Sequence, residues 1–195
     1  MKNILFFLAI IVLAMSCVSG NEYEQMVKKG LRSGEKFNDL FLGVELGMSS
    51  DDFFDHAWDL NKKGVVKQGI GNMSVLYVID STDFEGIHGD INMDFYPDFH
   101  EEQLHRMPMK FTYVAWAPWI KHRDDDHLEQ DVLTILKTWY GDDFLEVSDP
   151  DRGSVHIKVD GNRQIKVRKE ERVVKVLMED NSIINPLEKK QLTVR

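Results

Sequence analysis

The densest potential chemistry in the chain is the run His122-Arg123-Asp124-Asp125-Asp126-His127. Its carboxylates offer oxygen donors for a hard cation, and its imidazoles suit zinc. The candidate metal ligands are His122, Asp124, Asp126 and His127. The same residues also compose an acidic helix N-terminus, with Asp126 as the cap and its neighbours complementing the helix dipole. That second reading is preferred, so no metal and no cofactor is expected. A second run, His100-Glu101-Glu102-Gln103-Leu104-His105, invites comparison with the helical zinc-protease motif, which needs histidines at i and i+4. Here the spacing is i to i+5, about 140° around a helix. The segment also lies between Pro97 and Pro108, where the chain is expected to turn as a solvated loop between strands.

Asp149, Asp151 and Asp160 stand at positions one, three and twelve of a calcium loop. Ser154 occupies the place of the sharp-turn glycine, however, and Val155, Ile157 and Val159 alternate as a strand, which argues against an EF-hand. No nucleophile elbow and no phosphate-cradling glycine loop is present, and no catalytic residue is assigned. The stretch from Phe111 to Trp119 holds the most concentrated aromatic patch. On a strand Phe111, Tyr113 and Ala115 face one way, and Thr112, Val114 and Trp116 face the other. Tyr113, Trp116 and Trp119 are therefore the candidate binding surface, with core packing as the competing reading for any single ring. Trp119, beyond Pro118, is the ring most expected to be exposed.

Cys17 is the only cysteine among 195 residues. It follows one charge, Lys2, and an apolar run over residues 4–14 that matches a signal h-region and falls short of the roughly 20 residues a spanning helix needs. An exported protein ordinarily pairs its cysteines, so a lone thiol here calls for another use, and acylation supplies one. The segment Ala14-Met15-Ser16-Cys17 resembles the lipobox of bacterial lipoproteins, although Ala14 departs from the leucine most common three positions before the cysteine. The resemblance implies a signal peptide at 1–16, a lipidated Cys17 and a mature chain tethered to a membrane on its non-cytoplasmic side, at the periplasmic face or cell surface. An ordinary secretory signal cleaved near Ser16 or Gly20 is the alternative.

The chain's 33 acidic residues outnumber its 24 basic ones, for a net charge of −9. The basic residues are scattered, and both nucleic acid and anionic lipid heads call for the opposite balance. After the signal, residues 17–36 are polar with glycines at 20, 30 and 34, and read as a flexible tether. A single domain is expected over 37–184, with a loosely ordered tail at 185–195. Ser49 and Asp52 have capping-box spacing ahead of the stripe Phe53, Phe54, Ala57, Trp58 and Leu60, which predicts a helix. Strand patterns follow over 74–80, 90–96 and 109–117. Asp126 and Glu129 then precede the stripe Leu128, Val132, Ile135, Leu136 and Trp139, a second helix that Gly141 ends. Four more strands are expected over 144–147, 154–159, 164–168 and 172–178.

The order helix-meander-helix-meander predicts an α+β fold in which two amphipathic helices pack on a largely antiparallel sheet built from two similar halves. Gly47-Met48-Ser49 leading into a helix and then a meander resembles the small outer-membrane assembly lipoproteins and the β-lactamase-inhibitor-like fold. That resemblance implies tandem helix-and-sheet units that bind other proteins and carry no active site. The functional expectation is a lipid-anchored, non-enzymatic envelope protein that binds another envelope protein. Two alternatives stand beside it. One is an envelope hydrolase or metal-dependent enzyme whose site is assembled from dispersed His and Asp residues. The other is capture of a small apolar or glycan ligand between helix and sheet, near Trp58, Trp116 or Trp139.

Overall fold

The structure is a computed structural model that describes residues 18–69, 71, 73–117, 119–149 and 153–183. Among these are three α-helices, α1 (Val18–Ser33), α2 (Ser50–Lys62) and α3 (Asp125–Tyr140). The strands are β1 (Val66–Gln68), β2 (Val75–Ile79), β3 (Ile91–Phe95), β4 (Asp98–His100), β5 (Gln103–Tyr113), β6 (Leu145–Asp149), β7 (Gly153–Asp160), β8 (Arg163–Glu170) and β9 (Val173–Asp180). They form one antiparallel sheet in the order β1-β2-β3-β5-β9-β8-β7-β6, with β4 paired to β5 off this path. The fold is α+β, as the alternation of helical and strand patterns predicts. Each half runs from a helix into a meander, α2 into β1-β2-β3-β5 and α3 into β6-β7-β8-β9. The last strands of the two halves meet at the centre, where Arg106 pairs with Glu179 and Phe111 with Val174.

Period-two alternation divides the sheet into two faces. Met93, Phe95, Met107, Met109, Phe111, Ile165, Val167, Val174, Val176 and Met178 are buried on one of them. There they share a core with Phe53 of α2 and with Leu128, Val132, Ile135 and Leu136 of α3. Ser49 caps α2 as its spacing predicts, its hydroxyl accepting from the Asp52 N–H at 3.1 Å.

The other face carries α1, and this corrects the expectation of a flexible tether over 17–36 and of a domain that begins at residue 37. Gln164 lies opposite Val159 and Lys166 opposite Ile157, the reverse parity to Ile165 and Val167. Tyr23 donates its phenolic hydrogen to Gln164 at 2.9 Å, Val27 is buried, and Gly30 sits against Val159 and the backbone of Gly161. The docking stripe is Tyr23, Met26, Val27 and Gly30, at helical spacing. Its last member is a glycine, so the stripe reads as linker composition. A Cβ on Gly30 would stand 2.6 Å from the Gly161 carbonyl oxygen and 3.0 Å from Val159 Cγ1, and its absence is what lets the helix approach. Cys17 and the segment 1–16 lie outside the described residues, as does the tail 185–195. No helix among the described residues is long and apolar enough to cross a membrane.

Two further expectations are corrected. The segment around His100 and His105 is a β4–β5 hairpin rather than a solvated loop, turning at Glu101 and Glu102, both of positive φ. His105 is buried within β5. Pro108 sits inside that strand because its C=O faces Tyr96, accepting its N–H at 3.3 Å. The missing proline N–H faces the same way, toward the break between β3 and β4, so no ladder bond to β9 is lost. α3 begins earlier than expected: Asp124, not Asp126, is its cap, with extended backbone and a carboxylate that accepts from the His127 N–H.

Candidate functional site

The end of the sheet where β5 stops and α3 starts collects most of the residues singled out for chemistry. A charged residue on the buried stripe of α3 organises it. Asp131 follows Leu128 by three positions and precedes Ile135 by four, which points it into the core, and it is 1% exposed. A carboxylate there must have its lone pairs occupied. It accepts from the His88 backbone N–H at 2.8 Å, from His88 Nδ1 at 2.8 Å and from the Tyr113 hydroxyl at 2.7 Å. Burial, and then the hydrogen bond to this carboxylate, push the Tyr113 ionisation well above its ordinary value, so the phenol stays a donor. The network pins the loop that precedes β3 onto α3 and the end of β5.

Arg123 closes the same loop. Its Nε donates to the His88 carbonyl at 3.2 Å and its Nη1 to the Ala115 carbonyl at 3.0 Å. Gly89 makes the room, because a Cβ there would lie 2.6 Å from Arg123 Nε. At the first turn of α3, Asp124 Oδ1 accepts from the His127 N–H at 3.0 Å and from His127 Nδ1 at 2.6 Å. The backbone bond first, and then the ring bond, hold the Asp124 carboxyl below its ordinary value. The rings of His88 and His127 are 4.5 Å apart between centroids, and His122 completes a triangle at 6.3 and 6.1 Å.

The fold thus brings together three of the four candidate metal ligands, His122, Asp124 and His127. Asp126 turns away to pair with Lys169 on β8. His88 and Asp131 were not singled out in the sequence. His88 carried no local signal, being separated from the others by three strands. Asp131 did carry one, as the single carboxylate inside an otherwise apolar stripe.

Of the candidate binding residues, Tyr113 is corrected: it is 8% exposed and belongs to the core and to the Asp131 network. Trp116 is 43% exposed with the Arg172 guanidinium 4.2 Å from its ring centre, and Trp119 is 80% exposed. A depression of about 220 Å³ beside the α3 cap is lined by Tyr113, Trp116, Arg123, Asp124, Leu128 and Arg172. A separate cleft of about 570 Å³ opens at the other end of α3, lined by Phe37, Asp39, Tyr77, Trp139, Tyr140 and Arg163. Arg163 stacks on Tyr140 at 4.6 Å and donates to the Asp39 carbonyl at 2.7 Å. Trp58 lies elsewhere, exposed on α2 four residues from the equally exposed Phe54.

Fold and site together define an α+β protein of two joined helix-and-meander units, with a histidine and carboxylate cluster at one end of a shared sheet. No protein-family model matches this chain, and no curated protein or solved structure matches it either.

Proposed function

We propose that this is a non-enzymatic envelope protein, anchored by lipid at Cys17 on the non-cytoplasmic side of a membrane, that binds another envelope protein through the aromatic end of its sheet. The observation that carries the reading is the exposed group Val114, Trp116 and Trp119, with Arg172 stacked on one of its rings. Tryptophan and arginine dominate the energetics of protein interfaces, and rigid aromatic rings lose little entropy on docking. The docked α1 adds support. Cys17 adjoins its first residue, so a lipid there would join the membrane to the folded sheet with no long spacer, presenting the aromatic end at a constrained height and orientation.

The test has two arms. Replacing Cys17→Ser removes metabolic lipid labelling and moves the protein to the soluble fraction. A photoreactive side chain placed at Trp119 in living cells yields one discrete protein adduct, while the same side chain at exposed Asp51 does not. Retention of the serine variant on membranes refutes the anchor. Equal adduct patterns from positions 119 and 51 refute the docking surface.

The cleft beside Trp139 supports a second reading, capture of a small aromatic or glycan ligand. Its volume lies in the range of ligand sites, and rings and polar groups line it together. Quenching of tryptophan fluorescence by such a ligand, abolished in Trp139→Leu, would establish this reading, and unchanged quenching would remove it.

A further inference from the structure

We propose that His88, His122 and His127 form a binding site for a divalent transition-metal ion, with Zn²⁺ the ion that best suits them. Three imidazoles from two separate segments of the chain converge here: His88 from the loop before β3, and His122 and His127 from the turn before α3 and its first turn. Neutral imidazole is a good ligand for zinc and its neighbours in the first transition row. Two imidazoles that share a tetrahedral zinc, each with its nitrogen about 2.0 Å from the ion, place their ring centres about 5 Å apart. The three separations here, 4.5, 6.1 and 6.3 Å, bracket that distance.

The hydrogen bonding of the rings points the same way. A ligating histidine commonly gives its second ring N–H to a carboxylate, which fixes the tautomer and turns the other nitrogen toward the metal. His88 and His127 both show this arrangement. His88 Nδ1 is bound by Asp131, and His127 Nδ1 by Asp124. In each ring the tautomer that donates from Nδ1 leaves the Nε2 lone pair available on the far side. Two carboxylate-oriented imidazoles thus stand with rings 4.5 Å apart, one of them on the most buried carboxylate in α3.

Among the described residues no group of three or more His, Cys, Asp or Glu side chains is placed to hold a metal ion as it stands. Closing the site requires the exposed His122 side chain, which precedes the anchored Arg123, to swing inward. Water would fill the fourth position. Charge is balanced in the cation's favour: Lys121 and Arg123 oppose it, while Asp124, Asp125 and Asp131 supply three carboxylates, two of them bonded directly to the ligating rings. The inference stands independently of the partner-binding reading.

The experiment uses the full chain carrying Cys17→Ser, so that no thiol contributes, and measures Zn²⁺ uptake by competition with a chromophoric chelator. One Zn²⁺ per chain is expected. Affinity should fall at least tenfold in His122→Ala and in His127→Ala, and about tenfold in Asp131→Asn, as for loss of a group that orients a ligand. His100→Ala, in the β4–β5 hairpin, should leave it unchanged. Co²⁺ in place of zinc should give the intense visible bands of a tetrahedral site, and these should be lost in His122→Ala. His122 is exposed, so that variant retains its fold, which far-UV dichroism checks. No stoichiometric uptake, affinity unchanged by His122→Ala, or affinity that moves with His100→Ala overturns the proposal.

Discussion

Removing the Asp131 carboxylate should destabilise the protein by about 2–4 kcal/mol, a figure that follows from what its loss leaves behind. In Asp131→Ala two donors lose their acceptor inside the protein, the His88 backbone N–H and the Tyr113 hydroxyl. An orphaned buried donor costs about 1–3 kcal/mol. The third donor, His88 Nδ1, belongs to a partly exposed ring to which water has access, so its share is discounted. Relief from burying a charge offsets part of the loss. For a chain of this length, 2–4 kcal/mol corresponds to a fall in Tm of roughly 5–15 °C. Tyr113→Phe removes one donor and leaves the carboxylate two, so about 1 kcal/mol is expected. Urea denaturation of both variants and of the double variant closes a thermodynamic cycle, with a coupling near 1 kcal/mol for residues in contact. A loss under about 0.5 kcal/mol in Asp131→Ala, or no coupling to Tyr113→Phe, would refute the reasoning, because neither is compatible with a buried shared hydrogen bond.

Gly30→Ala tests the docking of α1. In an exposed helix the change would stabilise by nearly 1 kcal/mol. Here the new methyl meets the Gly161 carbonyl and Val159, and overpacking should reverse the sign to a net loss of about 1–2 kcal/mol in urea denaturation; a gain would mean that α1 is not seated on the sheet. Alkaline pH tests the buried phenol of Tyr140, which donates to the Leu40 carbonyl and whose ionisation burial pushes well above 10.0. A group whose folded value is raised stabilises fully below its unfolded value and loses that contribution as pH climbs toward the folded one. Stability should therefore decline from about pH 10 upward, and Tyr140→Phe should flatten the decline; an unchanged slope in that variant would remove Tyr140 as its cause.

The legible parts of this fold were those with local grammar. Ser49 and Asp52 announced α2, and the apolar stripe from Leu128 to Ile135 announced the body of α3. Alternation announced the central strands, and the order of helix and meander announced the α+β class. Misreadings arose where a residue's local meaning and its tertiary use diverge. Gly30 reads as linker and serves as a contact surface, and Pro108 reads as a boundary and sits within β5. Asp126 reads as the cap of α3, and the extended backbone at residue 124 gives that place to Asp124 instead.

Composition, periodicity and capping are properties of neighbouring residues, so the sequence by itself determined the succession of α2, a meander, α3 and a second meander, the acidic charge and the proximity of His122, Asp124 and His127. Tertiary structure alone decided that His88 joins them, that Asp131 turns its carboxylate to a loop over forty residues away in the chain, and that Tyr113 faces inward while Trp116 and Trp119 face out. The physical reason is that a buried carboxylate takes whichever donors the packing of β5, α3 and the preceding loop delivers to it, and no local pattern records that delivery.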